Sequence, residues 1–241
     1  MRRIVFAALV TTVAATAITA AADAPNTLTP AEKKDGWTLL FDGTSTSGWR
    51  GFNKQAAPDG WKAVDGALTR VDKAGDLITV DKYESFDLRF EWRIAKNGNS
   101  GVFYHVAEGP GLDTAYRTGP EYQLLDNEGH PDAKNGPDRW AGANYALNAP
   151  TKSETKPIGE WNESRILVNG PHVEHWLNGT KVVEYELWSP DWKAGVAKSK
   201  FKAMPRYGLE KTGHIALQDH GNEVAFRNIK VKVLDGKPAT N

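Results

Sequence analysis

The chain has 241 residues, 25% of them charged and 40% hydrophobic, which is enough to bury one sizeable core and excludes a disordered or collagen-like chain. Thirty Lys and Arg residues balance thirty Asp and Glu residues, so the chain lacks the basic surplus with which proteins gather nucleic acid. It has no cysteine, which excludes disulfides, thiolate metal sites, iron–sulfur clusters and a cysteine nucleophile.

The first 22 residues have the pattern of a signal peptide. A basic Met1-Arg2-Arg3 start precedes an apolar stretch from Ile4 to Ile18, and Ala20-Ala21-Ala22 fits a signal peptidase site. We therefore expect cleavage after Ala22 and a periplasmic or secreted protein. No later stretch is apolar enough to span a bilayer, so we expect no membrane partner once the signal is removed.

The rest of the chain reads as one domain without internal repeats. We predict a lead-in segment over residues 23–36, a β-sandwich domain over residues 37–235 and a tail over residues 236–241. Apolar residues recur mostly with period two, which predicts strands. The predicted strands are Trp37–Phe41, Trp61–Val64, Ala67–Arg70, Leu77–Val80, Ser85–Ile94, Gly101–His105, Glu121–Leu125, Arg165–Asn169, His172–Leu177, Thr180–Glu186, His214–Gln218 and Val224–Leu234.

Turn signals connect these strands into an all-β fold. Asp65-Gly66 and Asn178-Gly179 lie between strand-like runs and predict hairpins with type I′ turns. Many short antiparallel strands without amphipathic helices predict a two-sheet antiparallel β-sandwich with long loops. Glu128–Pro157 is the longest predicted loop, and its length favours a functional role. In the segment Ser189–Arg206 we predict a short helix with Ser189 as its N-cap.

Two predicted strands present polar side chains on alternate positions. In the segment 119–127, strand alternation puts Glu121 and Gln123 on the face opposite Tyr122 and Leu124. In the segment 213–221, Ile215 and Leu217 would point to the core and leave Ala216, Gln218 and His220 on the other face. A carboxylate and amides on an accessible sheet surface suit a sugar, although antiparallel sheets routinely carry a solvated polar face.

The segment 172–179 leaves two alternatives open. Val173 and Leu177 suggest an inward face that would carry His175 with them, leaving Glu174 on the polar face, and a β-bulge would reverse this. The three-residue spacing of His172 and His175 places their rings on opposite faces of a strand, so it is not a metal motif. Glu174 and His175 are therefore competing site candidates.

Common enzyme motifs are missing from the sequence. It contains no nucleophile-elbow, zincin, P-loop or dinucleotide-binding pattern, so serine hydrolase, zinc protease, NTPase and dehydrogenase chemistry lack support. The carboxylate ladder of retaining sandwich-fold glucanases is also missing, which disfavours two-carboxylate glycoside hydrolysis.

Six sequence blocks, in order and spread over residues 37–233, resemble the 3-keto-disaccharide hydrolase family, also described as the 3-keto-glucoside 1,2-lyase/3-keto-2-hydroxyglucal hydratase domain. The blocks are Trp37–Gly43 with Gly48-Trp49, Asn99–Tyr104, Glu121–Asp126, Gly159–Asn162, His175–Gly179 and Gly213–Gly221. The resemblance implies a concanavalin A-like jelly roll, which agrees with the sandwich predicted from periodicity. It also implies cleavage of 3-keto-glycosides by removal of the C2 proton, elimination at C1 and hydration.

This chemistry needs a base, an acid for the leaving oxygen and a group that stabilises the enolate. His175, His220 and Glu121 are the acid–base candidates, and histidine is favoured because its pKa is nearest neutrality. Glu121 qualifies as the base only if burial raises its pKa. Further candidates for contact with the sugar are Gln123, Asp126, Gln218, Glu174, His105 and Trp140.

No cofactor is identifiable from the sequence, and no set of metal ligands declares itself, although a divalent metal is compatible with enolate chemistry. The expected partner is a sugar substrate, and oligomeric state is not indicated. The alternative from a different class is a carbohydrate-binding module of the same fold, in which Trp140, Trp176 or Trp188 stacks on sugars. A third possibility is a non-catalytic domain that serves an exported sugar oxidoreductase.

Overall fold

The computed structural model describes residues 24–234, so the predicted signal peptide and the tail lie outside the described residues. Its strands, in chain order, are β1 (Trp37–Leu39), β2 (Trp49–Gly51), β3 (Trp61–Val64), β4 (Ala67–Arg70), β5 (Leu77–Thr79), β6 (Phe86–Ile94), β7 (Asn99–Val106), β8 (Glu121–Leu125), β9 (Asn162–Asn169), β10 (His172–Leu177), β11 (Thr180–Glu186), β12 (His214–Leu217) and β13 (Val224–Val233). The helices are α1 (Pro30–Lys34) and α2 (Pro190–Lys198), with short 3-10 turns at Ala115–Arg117, Pro131–Asn135, Pro137–Arg139 and Lys200–Ala203.

The strands form two antiparallel sheets, which confirms the predicted β-sandwich. An eight-stranded sheet has the order β11-β10-β9-β6-β13-β4-β3, with β1 also paired to β13. A five-stranded sheet has the order β2-β5-β12-β7-β8. Large apolar side chains from both sheets fill the space between them, including Trp92, Phe226, Tyr122 and Leu124. Burial of this core is the main stabilising contribution to the fold.

Both predicted hairpin turns have the backbone that their residues favour. The φ angles are +49° and +74° at Asp65 and Gly66, and +46° and +81° at Asn178 and Gly179. Positive φ at both central positions is the requirement of a type I′ turn, whose twist matches that of the flanking strands.

The helical segments follow local capping signals. Ser189 accepts a hydrogen bond from the backbone N–H of Trp192 (3.1 Å) and begins α2 as predicted. Helix α1 lies in the lead-in segment, which was predicted without structure, and begins at a capping box of Thr29 and Glu32. Neither helix of the described chain is long and apolar enough to cross a membrane.

Strand boundaries differ from the prediction where alternation is interrupted. Strand β2 was not predicted, because a strand of three residues is too short to show a period. Strand β9 begins at Asn162, three residues before the predicted start. The segment 128–157 contains no strand and forms the predicted long loop, with two 3-10 turns of its own.

Candidate functional site

The outer face of the five-stranded sheet, which points away from the core, is named here the site face. Ile215 and Leu217 of β12 and Tyr122 and Leu124 of β8 point into the main core. Strand alternation therefore turns Glu121 and Gln123 toward the site face, as predicted. The prediction of a solvent-accessible surface is wrong, because Glu121 and Gln123 are 5% and 1% exposed under the long loop.

Because Gly101 has no side chain, it leaves a gap on the site face, and the Glu121 carboxyl occupies this gap. Gly101 pairs with Gln123 across β7 and β8, and Phe103 pairs with Glu121. A Cβ on Gly101 would lie 2.3 Å from Oε1 of Glu121, so the carboxyl occupies the space that a side chain on Gly101 would fill. The backbone N–H of Gln218 donates to the carbonyl of Gly101 (2.9 Å), which places the backbone of Gln218 next to Gly101.

The amides around this gap have unpartnered polar atoms. Both side-chain heteroatoms of Gln123, Oε1 of Gln218 and Oδ1 of Asn99 are buried and lack a hydrogen-bond partner within the described part of the chain. A buried amide without a partner is costly, so such groups mark positions where a ligand or water completes the hydrogen bonds. Three such amides on one face match the hydroxyl groups of a sugar.

The long loop covers the site face by pairing with β8. The N–H of Gly142 donates to the carbonyl of Gln123 (2.9 Å), and the N–H of Gln123 donates to the carbonyl of Ala143 (3.1 Å). The N–H of Tyr145 donates to the carbonyl of Glu121 (3.0 Å). These bonds extend the sheet by one irregular strand and place Tyr145 over the site face.

Charged groups of the loop and of the 3-10 turn Lys200–Ala203 gather around Tyr145. Its hydroxyl donates to Oδ2 of Asp132 (2.8 Å). The Lys200 ammonium lies 4.0 Å and the Arg139 guanidinium 4.8 Å from the ring centroid of Tyr145. The charges of Lys200 and Arg139 also act on the buried Glu121 carboxyl. These two cations can stabilise negative charge on a molecule bound at the site face.

Burial raises the pKa values of two carboxyl groups, Glu121 and Asp76, by different amounts. Burial raises the pKa of Glu121 to about 8, against the opposing charge of Lys200, and the charges of Asp76 and Asp132 add to the rise. Burial raises the pKa of Asp76 to about 6, although the N–H groups of Asp219 and Ala115 oppose this. At neutral pH Glu121 is therefore mostly protonated and Asp76 mostly ionised.

Asp76 was not among the site residues predicted from the sequence. It directly precedes β5, where Leu77 pairs with Leu217, so Asp76 and Gln218 are the next residues of the two chain segments. Oδ1 of Asp76 accepts from the N–H of Asp219 (3.0 Å), and Asp219 is itself held by Arg70 and by backbone N–H groups. Its position on the period-two pattern of β5 was the available signal, but Gly75-Asp76 also reads as a turn.

His220 lies at the exposed rim of the site face. Its Nε2 is 3.5 Å from Nδ2 of Asn99, and its ring centroid is 6.1 Å from that of His130. Partial loss of hydration lowers the pKa of His220, and the neighbouring His130 adds to this effect. His220 is therefore near the unpartnered amides and carries a neutral ring at neutral pH.

His175 lies away from the site face, as strand parity predicted, so its candidacy as an acid–base group at that face is wrong. It is fully buried between the sheets, where its ring packs 4.8 Å from that of Tyr122. Val173 and Leu177 share its inward face, which settles the alternative left open by the sequence. The backbone of the five-stranded sheet lies between His175 and Glu121, so the two side chains do not converge.

Glu174 lies on the outer face of the eight-stranded sheet, on the opposite side of the molecule from the site face. Its carboxylate accepts from the indole N–H of Trp176 (2.7 Å) and from Lys181 (3.2 Å). Burial on its own would raise the pKa of Glu174, but these donors and His172 hold it below its usual value. Glu174 is thus a partner in a surface network.

The other three predicted contacts have structural partners. His105 is buried against Phe86 and bonds to the carbonyl of Glu84 (2.8 Å), away from the site face. Asp126 accepts from three backbone N–H groups, of Asn97, Glu128 and Gly129, and so fixes the turn after β8. Trp140 is 38% exposed and donates to the carbonyl of Ala133 (3.1 Å) within the loop.

One group of three metal-ligating side chains converges within residues 24–234. It consists of His172, Glu174 and Glu184, whose ligating atoms lie within 4.8 Å of one another. Lys181 forms ion pairs with both carboxylates, so its ammonium already balances part of their negative charge. The group is on the outer face of the eight-stranded sheet, away from the site face.

Comparisons with known proteins identify the family of the chain. Residues 36–232 match the model of the 3-keto-alpha-glucoside-1,2-lyase-like domain. A 3-keto-disaccharide hydrolase of Bacteroides thetaiotaomicron is 38% identical over 230 residues, covering 83% of this chain and 79% of that protein.

Solved structures show the same fold. A candidate glycosyl hydrolase of Parabacteroides distasonis is 39% identical, with a TM-score of 0.82, covering 88% of this chain and 100% of that one. A second from the same organism is 29% identical, with a TM-score of 0.64, covering 82% of this chain and 99% of that one. The family model spans most of the chain and the relatives match in both sequence and fold, so the chain belongs to the 3-keto-disaccharide hydrolase family of carbohydrate hydrolases.

Proposed function

We propose that this protein cleaves 3-keto-glycosides by elimination followed by hydration, which together amount to hydrolysis. The observation that carries the proposal is the site face itself, where a protonated Glu121 lies among unpartnered amides. Membership of the family supports this class of substrate, and the chemistry of this face supports the mechanism.

The reaction fits a site without a covalent nucleophile. A ketone at C3 acidifies the proton on C2, so a base can remove that proton and form an enolate. Expulsion of the C1 substituent then needs an acid that protonates the leaving oxygen. Two titratable groups whose environments separate their pKa values meet these requirements, and Asp76 and Glu121 form such a pair.

We assign the base to Asp76 and the acid to Glu121. Ionised Asp76 takes the C2 proton, electrons flow through the enolate, and the C1–O bond breaks as Glu121 donates its proton to the departing oxygen. Gln123 and Gln218 hold the sugar by hydrogen bonds, and the positive charge of Lys200 stabilises the enolate.

Hydration then returns both carboxyls to their starting states. A water molecule adds to C1 of the unsaturated keto-sugar, and Glu121, now ionised, takes a proton from it. Protonated Asp76 returns its proton to C2. The sum is one glycoside and one water converted into a keto-sugar and an alcohol, with both carboxyls regenerated.

We further propose that the protein works outside the cytoplasm, on a sugar partner alone. The basic and apolar pattern of residues 1–22 supports export, and the balance of charges gives no support for nucleic acid as a partner.

The proposal is tested by incubating the purified protein with a 3-keto-disaccharide and with the same disaccharide unoxidised. We expect cleavage of the oxidised sugar alone, because only its ketone acidifies C2. Binding of either sugar without cleavage would instead support a carbohydrate-binding module. Cleavage of the unoxidised sugar at a comparable rate would overturn the elimination mechanism.

The choice of base is tested by replacing Asp76 with Asn. This variant should lower kcat by about 10²–10⁴-fold, the usual loss for an acid–base group. His220→Gln, at the rim, should change kcat by less than about tenfold. Asp59→Asn, at an exposed surface position, is the matched control.

Steady-state kinetics and a thermal melt of each variant decide between the two bases. The Asn side chain keeps an acceptor for the N–H of Asp219, so the fold should survive. A large loss in His220→Gln with near-normal turnover in Asp76→Asn would transfer the base role to the histidine.

A further inference from the structure

His175 is a buried, fully hydrogen-bonded histidine that the proposed mechanism does not use. Its Nδ1 lies 3.0 Å from the carbonyl oxygen of Gly142 and its Nε2 lies 3.2 Å from the hydroxyl of Tyr104. The side chain has no exposed surface. Burying a polar side chain in an apolar core is costly unless it is hydrogen-bonded, and both ring nitrogens of His175 have partners.

The partners fix the tautomer of this ring. A carbonyl oxygen only accepts, so Nδ1 carries the proton and donates to Gly142. Burial lowers the pKa of His175 to about 4, so the ring is neutral and Nε2 is an acceptor. Tyr104 therefore donates to Nε2 and accepts in turn from the hydroxyl of Tyr185. Hydrogen bonds run in one direction from Tyr185 to Gly142.

Gly142 joins this chain of bonds to the candidate site. Its own N–H donates to the carbonyl of Gln123, and the carbonyl of the following residue, Ala143, accepts from the N–H of Gln123. The N–H of Tyr145 donates to the carbonyl of Glu121. The segment 142–145 thus holds the backbone of both site residues of β8 from one side, while His175 holds the segment from the other.

We infer that His175 is a positioning residue, whose Nδ1–H anchors the carbonyl of Gly142 and so keeps the segment 142–145 paired with β8 beside Glu121 and Gln123. The anchor crosses from the eight-stranded sheet to the loop, so it couples the two layers of the sandwich at the site. Its kinetic consequence rests on the proposed function, whereas its structural consequence does not.

The space around Gly142 supports a fixed position for the segment. Its φ is +88°, a conformation that favours glycine, and a Cβ there would lie 3.1 Å from Cγ2 of Val182. The carbonyl that faces His175 has little freedom to turn toward another donor. Loss of the Nδ1–H would leave it buried and unpaired.

Amide hydrogen exchange of the full chain, read by mass spectrometry, tests the anchor without any substrate. His175→Phe keeps a ring but has no donor, whereas His175→Asn places an amide N–H close to the position of Nδ1. Tyr104→Phe is the matched control, because it removes the other partner of the ring and leaves the bond to Gly142.

We expect exchange in residues 140–147 to rise about 5- to 100-fold in His175→Phe, the range for an unpaired buried group. Exchange in β6 and β13 should stay unchanged. His175→Asn should restore most of the protection, and Tyr104→Phe should keep it. Equal exchange in the Phe variant and the wild type, or no rescue by Asn, would overturn the inference.

A second pair of variants keeps the test decisive if His175→Phe does not fold. The amide of His175→Gln reaches the position of Nε2 and misses Gly142, so His175→Gln should lose protection of residues 140–147 where His175→Asn keeps it. The same exchange in both would count against the anchor. On a 3-keto-glycoside, the unprotected variant should lose kcat and the Asn variant should recover it. An inactive wild type would contradict the proposed function and leave the exchange result to decide the anchor.

Discussion

Glu121→Gln is expected to lower kcat for a 3-keto-glycoside by about 10²–10⁴-fold, because an amide cannot give a proton to the leaving oxygen. Gln has nearly the same shape and can still bond to a hydroxyl group, so KM should change much less. Glu163→Gln is the matched control, since Glu163 is exposed on the outer face of the eight-stranded sheet.

The pH profile of the wild type should identify the acid. Asp76 must be ionised and Glu121 protonated, so kcat/KM should rise through about pH 6 and fall through about pH 8. The two charges interact, so these limbs belong to the pair. Normal turnover in Glu121→Gln, or a profile without the upper limb, would remove Glu121 from the acid role.

The same substitution should stabilise the fold in alkaline solution. Glu121 has a folded pKa of about 8 against its ordinary value of 4.5. The unfolded chain therefore ionises first, and the stability contributed by this group, complete below about pH 4.5, is lost as pH rises toward 8. Gln does not ionise, so thermal melts should favour Glu121→Gln over wild type more at pH 8 than at pH 5.

Gly101→Ala is expected to reduce kcat by about 10²-fold or more while the protein still folds. The new Cβ would lie 2.3 Å from Oε1 and 2.9 Å from Cγ of Glu121, so the carboxyl must leave its present position. A displacement of about 1 Å in a reacting group can cost a factor of this size.

The control is Gly195→Ala, where the nearest atom is 3.8 Å from the added Cβ and the glycine lies inside α2. That variant should keep full activity and gain slightly in stability, because Ala is the better helix former. Kinetics and melts of both variants provide the measurement. Unchanged kcat in Gly101→Ala would mean that Glu121 acts from a different position than the structure gives.

The sequence allowed the β-sandwich and part of the site to be predicted because both depend on strand alternation. Gln123 and Gln218 were placed on the correct face from the apolar residues beside them. The burial of Gln123 was not predictable, since it depends on the loop over β8, which has no period of its own. The family resemblance supplied the substrate class but not the geometry.

Other site features needed the three-dimensional arrangement. Asp132, Arg139 and Lys200 come from loops and short turns, where sequence gives no facing direction. His175 was favoured because the ordinary pKa of histidine is near neutrality. Its ring lies in the core, however, and burial there lowers its pKa to about 4. The pKa of Glu121 moves in the opposite direction, because burial raises the pKa of a carboxyl, and this shift is what makes Glu121 the proposed acid in place of a histidine.

The unpartnered amides of the site face have a consequence for selectivity. In the proposed complex, a sugar that lacks one hydroxyl group would leave Gln123, Gln218 or Asn99 without a hydrogen-bond partner. Leaving a buried polar group unpaired discriminates between ligands far more strongly than one additional methylene does. The protein would thus recognise its ligand by the number and placement of its hydroxyl groups, and deoxy-sugars that fit by shape would still be rejected.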